Sequence, residues 1–356
     1  MSRDISPSAN TPRNSTPCSR AFSPCIAWRA TRTPWTPRTP WATHKDLAMN
    51  DASMTFPGLQ TCMLDMGGRP ARILRGGDAD AGTAMVFVHG GAPGLTPYGS
   101  GAHIWGQVLR RFAADGAVLA LDLPGFGGTE AATAAGSAGN ASTYSIESMI
   151  DHIDAVLRAA GIRRCHIVAH DTGGLAALLL ACRQPGYVEA VSVVSSVAAA
   201  PTGDGVENLT LAHPPLPAGT RDSQRWALER VSYSHHHVRD VLDDCVRAAR
   251  QAPALAAAAH MADAATRQAW AASLARSKAR LFELCRDGGV PVPVQVIWGT
   301  HDPLATVDQG MWLYRILAQR QPTTHFHLIN RAGALPFREE PDAFHAVVSA
   351  FSDALR

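Results

Sequence analysis

From about residue 55 onward the chain alternates short apolar runs with longer stretches of helical period. "AMVFVHG" (84–90), "AVLALDLPG" (117–125), "CHIVAH" (165–170), "VEAVSVVSS" (188–196), "VPVQVIWG" (292–299) and "HFHLIN" (325–330) are short, mostly apolar and closed by glycine or polar residues. Such runs predict strands buried on both faces, hence a mostly parallel sheet with helices on both sides. "TCMLDM" (61–66) and "ARILRG" (71–76) flank Gly67-Gly68 and predict a leading hairpin. "YSIESMIDHIDAVLRAAGI" (144–162) places Ile146, Met149, Ile150, Ile153, Val156 and Leu157 on one helical face and closes at Gly161. A helix from Gly173 to Gln184 follows "CHIVAH" directly.

The pattern changes at about 198–290, where no strand signal occurs and Ala and Arg dominate. Helical stretches are expected at about 222–231, 238–251 and 254–286. Inserted after the sixth strand, they would stand over the C-terminal edge of the sheet, where open α/β sheets bind ligands. The expected organisation is an α/β core at 55–197 and 291–356 with a helical cap at 198–290.

Residues 1–54 are a different material. Seven prolines precede residue 45, and residues 1–50 carry seven Lys/Arg against two Asp/Glu. No regular helix or central strand survives that proline density, and there is no apolar signal region. A disordered basic tail without chemistry is expected, with Met49 and Met54 as alternative starts.

Of 356 residues, 46% are hydrophobic and 17% charged, which suits a globular core. The net charge of +2 lies in the tail; the body is mildly acidic, which argues against nucleic acid as a partner. No apolar run reaches the roughly 18–20 residues of a membrane span. The seven cysteines are odd in number, scattered and without a CxxC pair. Free thiols in a reducing cytoplasm are therefore expected. A homo-oligomer stays open, and no cofactor is called for.

The chemistry centres on "HIVAHDTGGLAAL" (166–178), a strand, a sharp turn and a helix with Asp171 at the apex. Small residues two before and two after the apex are the frame of a nucleophile elbow. Asp is also a favoured helix cap, so both readings stay open. "VHGGAPG" (88–94), "LDLPGFGGT" (121–129), "AHDTGG" (169–174), "WGTHDP" (298–303) and "RAGALPFREEP" (331–341) occur in that order. Over about 60–355 the chain thereby resembles the α/β-hydrolase superfamily.

That resemblance implies an α/β-hydrolase fold acting on a small molecule. It implies an oxyanion hole from the backbone N–H of Gly91 (or Ala92) and of Thr172, and an acid role for Asp302. An aspartate at the elbow is similar to epoxide hydrolases and haloalkane dehalogenases, in which a carboxylate attacks sp³ carbon and water cleaves the resulting ester. The expected activity is hydrolysis of a small, largely apolar organic molecule, with Asp171 as nucleophile. His89, Trp105, His170 and Tyr233 are candidate pocket residues.

Three departures cut against a simple assignment. Thr172 stands where dehalogenases carry a tryptophan, and Tyr233 is the one tyrosine of the insertion, where epoxide hydrolases offer two. "HGGAPG" and "TVDQG" (306–310) are closer to hydrolases that split carbon–carbon bonds and use serine. Above all, the family's Gly-His dipeptide is Gly333-Ala334 here. Alanine supplies no general base, a help typically worth about 10²–10⁴-fold. His325, His327, His345, His301 and His170 are possible substitutes, each more simply structural. Alternatives are a ligand-binding protein that has lost its base, or a lyase, isomerase or carbon–carbon hydrolase. The run "SHHHV" (234–238) does not point to a metal, because adjacent side chains diverge on helix or strand.

Overall fold

A computed structural model describes residues 58–78, 82–131, 143–201 and 209–355. The expected tail lies outside these residues, as does most of the small-residue loop near 129–143.

β1 (Gln60–Asp65) and β2 (Pro70–Gly76) pair antiparallel around Gly67-Gly68, both at positive φ. β3 (Ala84–Val88), β4 (Val118–Leu121), β5 (Cys165–His170), β6 (Val188–Val194), β7 (Val294–Gly299) and β8 (Thr324–Ile329) then run parallel. The spatial order is β1-β2-β4-β3-β5-β6-β7-β8. β3 therefore lies between β4 and β5, and the direction of chain progression reverses there. Loops leaving β3 and β5 part at such a reversal and open a crevice at the C-terminal edge. β5 is buried along its whole length, so the bend at its end is held by the middle of the sheet.

The helices are α1 (Val108–Asp115), α2 (Ile146–Ala159), α3 (Thr172–Arg183), α4 (Arg221–Arg230), α5 (Val238–Ala249), α6 (Ala252–Met261), α7 (Ala264–Asp287), α8 (Val307–Ala318), α9 (Pro336–Glu339) and α10 (Pro341–Asp353). α2 buries the six apolar residues its period predicts, and Ser145 caps it by accepting from Ser148 N–H at 3.0 Å. The single helix expected over 254–286 is two. Asp263 is extended and accepts from Thr266 N–H at 2.8 Å, so a new helix is capped where one was expected to continue. α2, α3, α7 and α8 share one apolar cluster, and α1, α4, α5, α9 and α10 share the other.

The inserted helices meet the loops at the C-terminal edge. A Cβ on Gly94, after β3, would lie 2.5 Å from the Ala257 backbone of α6, and one on Gly99 would lie 2.1 Å from the Cys245 carbonyl of α5. Beneath them a buried ion pair ties β2 to the loop after β4. Arg72 Nε donates to Asp122 Oδ2 at 2.6 Å, and Asp122 also accepts from Ala102 and Gly128 N–H at 2.7 and 2.9 Å. Burial alone would raise the Asp122 carboxyl; the Arg72 guanidinium overcomes this and holds it below the usual range. No helix among the described residues is long and apolar enough to cross a membrane.

Candidate functional site

The bend between β5 and α3 holds Asp171 at φ 45°, ψ −117°, a conformation that L-residues avoid. Its backbone is fixed on both sides. Asp171 N–H donates to Val194 O at 3.1 Å; its own carbonyl accepts from Gly174 N–H at 2.9 Å and from the Ser196 hydroxyl at 2.5 Å. Two glycines make the bend possible. A Cβ on Gly90 would lie 2.6 Å from Asp171 Cβ, and one on Gly173 would lie 2.4 Å from His89 O. The side chain does not cap α3. Backbone N–H groups of Thr172 and Ala198 and the ammonium of Lys278 all act on the carboxylate. Burial outweighs them, with His170, and the carboxyl is held above the usual range.

Lys278, on α7, donates to Val197 O at 3.2 Å, one residue before the Ala198 N–H. Burial lowers its own proton affinity and Asp171 raises it in return. This lysine had no signal in the sequence: it sits in an Ala/Arg-rich helix far from any motif. Tyr98 had none either. It follows β3 in the loop 89–101, is buried, and its phenol lies within electrostatic reach of both Asp171 and Asp302.

His170, next to the bend, donates from Nε2 to the Ala334 carbonyl at 2.9 Å. A carbonyl only accepts, so Nε2 carries the proton, and the neutral ring presents Nδ1 as a lone pair. Burial favours that neutral form, against the pull of Asp171. The loop carrying Ala334 is tied further. Ala334 N–H donates to Val231 O at 2.8 Å, and buried Glu339 accepts from Gly333 and Ser234 N–H, each at 2.7 Å. Residue 334 thus lies against the bend, but it is an alanine with no proton to move.

Asp302, after β7, accepts on Oδ1 from Leu304 and Ala305 N–H at 2.9 and 3.2 Å. Its Oδ2 is buried, and the equally buried Ser195 hydroxyl lies beside the carboxylate and stabilises its charge. Burial pushes this carboxyl up to about 7, with Asp171 adding to the rise. In a carboxylate–imidazole pair that second oxygen would receive a ring N–H.

Of the expected oxyanion donors, the Gly91 and Ala92 N–H groups are engaged within their own surroundings, and Thr172 N–H acts on the Asp171 carboxylate. Gly91 N–H donates to Thr172 Oγ1 at 2.9 Å, and the same hydroxyl donates back to Gly91 O at 2.9 Å; Ala92 N–H donates to Thr96 Oγ1 at 2.8 Å. Two pocket expectations are also corrected. His89 is fully buried: it meets Gly90 O through Nδ1 at 3.0 Å and accepts from Leu123 N–H on Nε2 at 2.9 Å, so both ring nitrogens serve the loops. Burial holds it down to about 4. Trp105 is fully buried among Phe87, Phe337 and Phe344. Tyr233 is 47% exposed, with its ring against His301 at 4.2 Å. The other histidines are dispersed. His345 pairs with Asp115 at 2.8 Å, His325 stacks with His327, and His237 meets the Ser232 hydroxyl at 2.9 Å. Among the described residues no three His, Cys, Asp or Glu converge as metal ligands.

The model of the alpha/beta hydrolase family matches residues 85–347. The chain belongs to that family. A 2-hydroxy-6-oxo-2,4-heptadienoate hydrolase of Pseudomonas putida is 24% identical over 275 residues, 77% of this chain and 90% of that protein. A fluoroacetate dehalogenase of a Burkholderia species is 28% identical over 142 residues, 40% of this chain and 42% of its own. The fold is similar to the solved 2-hydroxy-6-oxo-6-phenylhexa-2,4-dienoate hydrolase of a Rhodococcus species, with TM-score 0.64 and 20% identity over 83% of this chain and 99% of that one.

Proposed function

We propose that this member of the alpha/beta hydrolase family acts on a small, largely apolar, carbonyl-bearing molecule, and that Asp171 works on it by moving a proton. One observation carries this reading. Position 334, against the bend, is alanine, while Asp171, displayed on the bend, has a proton affinity raised by burial. A carboxylate poised above its ordinary range is a general base or acid nearer to working pH. An ester on Asp171, by contrast, would find alanine at 334 and an adjacent His170 whose Nε2 is held by the Ala334 carbonyl. The engagement of Gly91 N–H by Thr172 also weighs against acyl transfer, which needs free donors where oxygen charge develops. Substrates of the kind in the relatives' names suit the reading, because a 2-hydroxy-6-oxo-dienoate exchanges protons between oxygen and carbon. An isomerase, a lyase or a carbon–carbon cleaving enzyme all fit within it.

A second reading is favoured by the buried Asp302 carboxyl, whose contacts are the Leu304 and Ala305 N–H groups and the Ser195 hydroxyl rather than an imidazole. Asp302, pushed up to about 7, would replace imidazole as the base, and Asp171 would be a true nucleophile on epoxide or haloalkane carbon.

The test incubates the full chain with an enolisable ketone, an epoxide, a chloroalkane and a 2-hydroxy-6-oxo-dienoate, following turnover and intact mass. The proton-transfer reading expects conversion of a carbonyl compound, loss of it in Asp171→Asn, and no adduct. An alkyl adduct on Asp171 overturns it in favour of the nucleophile. Saturable binding without conversion of any compound leaves a binding protein.

A further inference from the structure

We propose that Tyr98 is a second catalytic residue, a neutral hydrogen-bond donor to the substrate's carbonyl oxygen, and that Gln224 of the inserted helix α4 positions it. The inference rests on the proton-transfer reading of Asp171 and names a side-chain donor for the oxygen on which charge develops.

Tyr98 is clamped from both sides. The buried Gln224 amide donates from Nε2 to Pro97 O at 3.0 Å and accepts on Oε1 from Gly99 N–H at 2.6 Å. These are the residues on either side of Tyr98, so one side chain from the insertion grips the chain before and after the tyrosine. His103 Nε2 adds a bond to Gly99 O at 2.9 Å, and the close approach of Gly99 to α5 leaves no room for a side chain there. A loop residue held at three points by buried polar groups loses little further entropy when it meets a ligand.

Tyr98 is buried in the same cluster as Val194, whose carbonyl receives Asp171 N–H, and Ala334, whose carbonyl receives the His170 proton; its phenol there meets the charges of Asp171, Cys245 and Asp302. Burial first, then these carboxylates, push its ionisation far above the ordinary range, so it remains an O–H donor at any working pH. The site also needs such a donor. With Gly91 and Ala92 N–H engaged by Thr172 and Thr96, the loop after β3 offers those two backbone donors to itself rather than to a ligand. Tyr98 belongs to that same loop and supplies a donor from a side chain.

The step balances without a co-reactant. Asp171 carboxylate takes a proton from the carbon next to the carbonyl, and the C–H electron pair forms the enolate C=C as the carbonyl π pair moves to oxygen. The Tyr98 O–H hydrogen-bonds that oxygen throughout. The proton returns from the Asp171 carboxyl to carbon or oxygen. The class of substrate is an enolisable ketone with an apolar body.

Two probes separate the donor from the base. Benzophenone has no α-hydrogen and reports only on hydrogen bonding. Its carbonyl infrared band is expected to shift to lower frequency on binding to the wild-type chain and to Asp171→Asn, and not on binding to Tyr98→Phe. Gln224→Leu is expected to split the band between shifted and unshifted positions. Phenylacetone in D₂O reports on proton transfer. Exchange is expected in the wild type, to be lost in Asp171→Asn, and to fall about 10²-fold in kcat with little change in KM in Tyr98→Phe. A band that is unshifted in the wild type, or shifted equally in Tyr98→Phe, overturns the donor role. So does the absence of saturable binding. A single unchanged band in Gln224→Leu overturns the positioning role. A Tyr98-dependent shift with no exchange in any protein overturns proton transfer by Asp171 and leaves the donor standing.

Discussion

His170 Nε2 donates to the carbonyl of Ala334 at 2.9 Å, so the residue before the bend holds the loop that follows β8. The contact uses the backbone of residue 334 and is indifferent to its side chain. An imidazole next to the acid thus supports the site's geometry even though position 334 carries none.

Removing that support should be measurable. His170→Ala is expected to destabilise the fold by about 1–3 kcal/mol, because a buried carbonyl loses its donor. His170→Gln, whose amide nitrogen reaches a similar position, should recover most of the loss. Urea denaturation midpoints of the three proteins check this.

Asp302 should make stability depend on pH. Its folded value is raised to about 7 from an ordinary 3.8. The contribution is therefore fully present below about pH 4 and is lost as pH rises toward about 7. At one pKa unit per 1.36 kcal/mol the span is at most about 4 kcal/mol. Asp302→Asn removes the titration, and its amide can donate to the neighbouring Ser195 hydroxyl. Chemical denaturation should find the variant more stable than wild type at pH 8 and no more stable at pH 4. Equal differences at both pH values would sink the assignment.

The buried pair under the site should be intolerant of half-removal. Arg72→Met leaves Asp122 charged in the interior and is expected to cost about 3–5 kcal/mol. Arg72→Met with Asp122→Leu should lose less than Arg72→Met alone, read from the same denaturation curves.

Restoring a serine at the bend should not by itself restore an esterase. Asp171→Ser still faces an engaged Gly91 N–H and an alanine at 334. Its hydrolysis of p-nitrophenyl acetate is expected to stay within about 10-fold of buffer. Adding Thr172→Val, which frees Gly91 N–H, and Ala334→His should raise the rate by about 10²-fold or more.

The six parallel strands were legible because their runs are short, mostly apolar and closed by glycine or polar residues, and the leading antiparallel pair because it flanks Gly67-Gly68. The bend was legible from the small residues around Asp171, which its φ of 45° and the close approach of Gly90 and Gly173 require. The break between α6 and α7 hid in plain view, since Asp263 followed by Thr266 is a capping pattern inside an otherwise helical run. Tyr98, Lys278 and Gln224 carried no legible signal. Each reaches the site through tertiary packing between the insertion and the loop after β3, and no local period encodes such a meeting. Engagement of Gly91 N–H was equally hidden, because it depends on one rotamer of Thr172. His89 and Trp105 are both fully buried, His89 bonding the loops after β3 and β4 through its ring nitrogens and Trp105 packing among phenylalanines, contacts that no local pattern encodes.

Lys278 is one of two lysines in the chain, the other being Lys45. Nearly all the remaining positive charge is arginine, which acylating reagents leave alone. An amine-directed label, with peptide mapping afterwards, therefore reads the immediate surroundings of Asp171 as a single chemical address. Protection of that amine by a bound molecule would turn ligand discovery into a footprinting measurement, with no turnover required.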